Sequence, residues 1–71
     1  MAFKIAIFRS VNEVMYAETI LKRAGIPYKI VPIPKEISSD CGVCIRFDED
    51  FERKILKALE GKVEPVEVRK L

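Results

Sequence analysis

The stretch Tyr28-Lys29-Ile30-Val31-Pro32-Ile33-Pro34-Lys35-Glu36-Ile37-Ser38-Ser39-Asp40-Cys41-Gly42-Val43-Cys44-Ile45-Arg46-Phe47 decides the fold. Residues 28–31 read as a short strand, and Val43, Ile45 and Phe47 alternate with Cys44 and Arg46 in the period of two that a strand requires. Pro32 and Pro34 stop the first strand or confine it to a sheet edge, because neither can donate to a ladder. Residues 34–42 are too many for a tight hairpin turn, and long loops in small domains are often functional. Pro34 is also suited to open a single helical turn there. Two strands therefore follow one another with a loop, not a helix, between them.

Outward from this centre, each flank reads as a strand with a helix. Residues 3–8 alternate, with Phe3, Ile5 and Ile7 on one side and Lys4 and Ala6 on the other. Ser10 and Glu13 form a capping box, followed by a stripe of Val14, Ala17, Ile20, Leu21 and Ala24 and a glycine stop at Gly25. Glu18 and Lys22 form an i,i+4 pair. On the other flank, Asp48, Glu49 and Asp50 begin a helix whose lysines lie towards its far end, in keeping with the helix dipole. Phe51, Ile55, Ala58 and Leu59 are its buried stripe, Gly61 ends it, and residues 63–68 give a last strand marked by Pro65.

The order βαββαβ over a single domain, residues 1–71, predicts an α+β ferredoxin-like fold: a four-stranded antiparallel sheet with two helices on one face. The pattern puts Phe3, Ile5, Ile7, Val43, Ile45, Phe47, Val66 and Val68 against the helices. The opposite face then carries Lys4, Ala6, Phe8, Cys44, Arg46, Glu67 and Arg69, and its apolar part offers a homodimer contact.

Composition narrows the function. A net charge of +2 with acidic and basic residues interleaved lacks the basic stripe that nucleic-acid binding uses. No apolar run reaches the length of a membrane span, and the opening residues run straight into a strand pattern, so a cytoplasmic location is expected. There is no histidine, which removes Ser-His and Cys-His pairs and imidazole metal ligation, and no glycine-rich phosphate loop. No cofactor is implied.

Cys41 and Cys44 remain. In a reducing compartment, two cysteines three apart read as reactive or metal-binding before they read as a structural staple. If residues 41–44 were fully extended, the two Cα atoms would stand about 10 Å apart, against the roughly 7 Å limit for a disulfide. Cys41 must then lie in a turn, which Gly42 permits, or the thiols act separately. Lys35 and Arg46 are the cations that would favour a thiolate, and backbone N–H groups around Gly42 would hold an anionic sulfur. Each residue also has a plainer reading. Cys41 and Cys44 serve as small hydrophobes, Lys35 and Arg46 as solvated charges, and Ser38 and Ser39 as turn residues bonded to their own backbone.

The segment from Pro32 to Gly42, with the Ala24-Gly25-Ile26-Pro27 step and Arg46-Phe47-Asp48, resembles a family of short bacterial proteins described as selenium/sulfur carrier-like. The similarity runs the length of the chain. It implies that Cys41 accepts and passes on a sulfane sulfur or selenium atom, acting as a non-enzymatic carrier between a donor and an acceptor protein. Cys44 would be a second or resolving thiol, and Lys35, Ser38, Ser39, Gly42 and Arg46 the binding residues. Two other readings stand beside it: a Cys-ligated zinc site closed by dimerisation, and an interaction domain with inert cysteines.

Overall fold

The computed structural model describes residues 2–37 and 42–71. The elements are β1 (Phe3–Ile7), α1 (Val11–Ala24), β2 (Lys29–Pro32), β3 (Val43–Asp48), a 3₁₀ turn (Glu49–Phe51), α2 (Glu52–Leu59) and β4 (Glu67–Lys70). The strands form one antiparallel sheet in the order β2-β3-β1-β4, and both helices cover one face. This is the ferredoxin-like arrangement that the βαββαβ order implies. No described helix is long and apolar enough to cross a membrane.

Local chemistry sets the helix ends. The Ser10 hydroxyl accepts from the Glu13 N–H at 3.3 Å, while the Glu13 carboxylate takes the N–H of Arg9 at 3.0 Å, one residue earlier than a standard capping box predicts. Gly25 closes α1 at φ 72°, with its N–H directed at the Leu21 and Lys22 carbonyls. Glu18 accepts instead from the Tyr28 hydroxyl at 2.8 Å, tying the approach to β2 onto α1. Desolvation, then the Glu18 carboxylate, raises the Tyr28 pKa; the bond is intact below the ordinary tyrosine range and is lost only as pH rises beyond it. Where the acidic run was expected to open the helix, Asp48 ends β3 and Glu49–Phe51 form a 3₁₀ turn before α2 begins at Glu52, with the Asp48 carboxylate accepting from Asp50 N–H at 2.9 Å. β4 starts later than the pattern suggested. Lys62 and Val63 N–H groups still bond to Leu59, so Val63 packs into the helix-side core and the chain joins the sheet only when Val66 N–H reaches Ile7 O. Val66 stays exposed.

The facing of β1 corrects the expectation. Ala6 and Phe8 point at the helices, packed with Val14, Ala17, Leu21, Ile45, Phe47, Ile55 and Leu59. Ile5 and Ile7 point the other way, with Cys44. Register requires this, because Ala6 pairs with Ile45 and Ile5 with Arg46. The pattern could not reveal it, since β1 is a central strand covered on both faces and Ile5 to Phe8 is one continuous apolar run. Lys4, on the helix side, pairs with Glu52 at the start of α2. Ala6 and Phe8 are therefore core and unavailable as a dimer contact.

This assignment predicts an asymmetry between two phenylalanines of one strand. Phe8→Ala should cost about 3–5 kcal/mol in urea unfolding, and Phe3→Ala no more than about 1 kcal/mol. The opposite order would mean that β1 is turned over.

Candidate functional site

The loop after β2 covers the face that the helices leave open. Pro32 ends β2 on the edge of the sheet, and one further rung follows, Ile33 N–H to Gly42 O at 3.1 Å. That bond ties together the two ends of the eight-residue span 34–41. Pro34 O accepts from Ile37 N–H at 3.0 Å, so the loop begins with a single turn, as its proline foreshadowed. Ile33 and Ile37, with Val31, then pack on Ile5, Ile7 and Cys44 as a second, smaller core.

Gly42 returns the chain to β3 at φ 79°, a left-handed conformation that an L side chain adopts only with strain. A Cβ there would meet no atom within 4 Å, so the backbone angle alone favours glycine. Cys44, opposite Val31 in the register, has no exposed surface. Its thiol points to the Pro32 carbonyl, 3.9 Å from Sγ. It is chemically shielded by the loop that carries the other thiol.

The remaining expected site residues are dispersed. Cys41, Ser38 and Ser39 lie outside the described residues. Lys35 is exposed within the Pro34 turn. Arg46 is half-buried on the open face, four residues along β3 from Gly42, a rise of about 13 Å. Its guanidinium sits over the Phe3 ring, 4.5 Å from the centroid. The structure thus gathers Ile33, Gly42 and Cys44 at the foot of the loop and sets Arg46 apart. Sequence reasoning missed Ile33 and Ile37 as the cover. The available signal was two isoleucines in a segment otherwise built of turn and charged residues. Among the described residues, no three Cys, Asp or Glu side chains converge as a metal-binding group.

A family model described as "Putative Se/S carrier protein-like" matches residues 4–71. No curated protein and no solved structure matches the chain.

Two measurements probe the loop and its foot. In a Cys41→Ser background, maleimide should label Cys44 at least about a hundredfold more slowly in buffer than in denaturant, because labelling requires local opening. Equal rates would contradict its burial. Gly42→Ala should lower stability by about 1 kcal/mol through backbone strain, read from the shift in urea midpoint.

Proposed function

Because the chain belongs to the Se/S carrier protein-like family, we propose that it carries one sulfane sulfur or selenium atom as a persulfide-type adduct on Cys41. The observation behind this choice of atom is the burial of Cys44. Of the chain's two thiols, that one is withdrawn beneath Ile33 and Ile37 and cannot meet a second protein without loop opening.

The transfer is an exchange of sulfur bonds without net oxidation. Cys41 thiolate attacks the outer sulfur of a donor protein's persulfide. The new bond joins Cys41 Sγ to that sulfur, the donor's S–S bond breaks, and the donor leaves as a thiolate. An acceptor nucleophile repeats the attack on the outer atom, and Cys41 is released as a thiolate. With selenium the carried atom is bound as S–Se and the steps are the same. The protein ends unchanged, as a carrier and not an enzyme.

Lys35 and the backbone N–H groups around Gly42 favour the ionised sulfur, and Ser38 and Ser39 shape the loop that presents it. Cys44 has a conditional part. If the loop lifts, its thiolate attacks the inner sulfur of the adduct, forming a Cys41–Cys44 disulfide and expelling sulfide or selenide. The thiol pair is then oxidised by two electrons and the carried atom reduced by two. Such exchange suits a reducing compartment, so the cytoplasm is the proposed location. A zinc site shared between two chains would need Cys44 drawn out of the interior, so its burial favours the carrier reading over that one.

Incubation with a cysteine desulfurase and cysteine, followed by intact mass under non-reducing conditions, tests the reading. The expected result is an adduct of one sulfur atom on the wild-type chain, kept in Cys44→Ser and abolished in Cys41→Ser. An adduct that survives Cys41→Ser would overturn it.

A further inference from the structure

At the end of the open face away from the loop, the sheet holds a charge arrangement that the fold does not use. Lys29 and Arg46 are directly opposed across β2 and β3. Side chains so placed stand about 5 Å apart at Cβ, and like charges there oppose folding. Neither has a carboxylate within ion-pair distance; the pairs among the described residues are Lys4–Glu52, Arg9–Glu13 and Arg69–Glu67. Asp48 lies in the same corner, but its carboxylate accepts from Asp50 N–H. Arg46 is nonetheless held in place. Its guanidinium carbon lies over the Phe3 ring, 4.5 Å from the centroid, a cation–π contact that anchors the side chain. Phe3 is itself 38% exposed. Together with Pro27 and Tyr28 these side chains border a hollow of about 260 Å³.

We propose that the Phe3–Lys29–Arg46 corner docks a partner protein through a carboxylate-bearing segment. An Asp or Glu side chain of the partner bridges the Arg46 guanidinium and the Lys29 ammonium, and an adjoining apolar side chain rests on the free edge of Phe3. A carboxylate is the natural bidentate partner of a guanidinium, and arginine is among the residues that concentrate binding energy at protein interfaces. A nucleic acid fits less well. One face of Phe3 is already occupied by the guanidinium, which removes that stacking platform for a base. This docking stands independently of the chemistry at Cys41, since it uses none of the loop.

Titration of the ¹⁵N-labelled protein with the capped hexapeptide Leu-Glu-Asp-Leu-Glu-Asp tests it by amide shifts. The expected shifts centre on residues 3, 29 and 46 and shrink as salt is added. Affinity should fall about tenfold in Arg46→Gln and severalfold in the more exposed Lys29→Gln, each with an otherwise unchanged spectrum. Parallel titrations use inorganic phosphate and a short oligothymidylate. Shifts that are absent, that lie elsewhere, or that are matched by phosphate or by the oligonucleotide would overturn the proposal. None of these outcomes depends on whether Cys41 takes up sulfur.

Discussion

Every other feature of this domain follows from the need to cover β1 on both faces. A chain of 71 residues buries a modest fraction of its surface, so a central strand left bare on one side would be a large loss. Ile5 and Ile7 are almost wholly buried, and burying such a side chain is worth about 1.5–3 kcal/mol. The two helices cover Ala6 and Phe8. Covering Ile5 and Ile7 falls to the segment between β2 and β3, which is long because it must reach across the sheet. The loop that carries the candidate chemistry is thus also part of the hydrophobic structure.

That double duty separates the two cysteines. Cys44 lies on β3 at a position whose parity points it under the loop, where sulfur acts as a small apolar filler against Ile5 and Ile7. Cys41 precedes the glycine at which the chain turns into β3. A C-x-x-C spacing usually suggests two equivalent thiols. Here one residue of the spacing is a left-handed glycine, and the strand that starts after it consigns the second sulfur to the interior. The fold makes the motif asymmetric, and transfer through one thiol is the simpler chemistry for such a motif.

Element order, both helices and the ends of α1 were legible in the sequence, because Ser10, Gly25 and the apolar spacing in each helix are local signals that tertiary structure did not override. The start of α2 was not, since the acidic run gives way to a 3₁₀ turn. The facing of β3 was legible as well, because its large apolar side chains, Val43, Ile45 and Phe47, all fall on one side. β1 was misread because Phe3, Ile5 and Ile7 on one side compete with Ala6 and Phe8 on the other. Alternation identifies a buried face only when the opposite face is wet. The two isoleucines of the loop had no periodic context, so their role as cover depended on long-range packing. For the same reason the neighbour of Arg46 was hidden: placing Phe3 on the helix side removed the ring on which its guanidinium rests.

Arg46 shows how position along a strand bears on a functional assignment. Read from sequence, it was a cation near a cysteine and therefore a candidate to stabilise a thiolate. In the folded chain, about 13 Å of strand separates it from the foot of the loop, and through-water attraction over that distance is largely screened. Its half-buried position and the lysine opposite make the charge costly, while the Phe3 ring beneath it holds the side chain in place. A carboxylate supplied from outside the chain would relieve both the repulsion and the missing ion pair. The open face thus carries apolar cover over Ile5, Ile7 and Cys44 at one end and the opposed charges of Lys29 and Arg46 at the other.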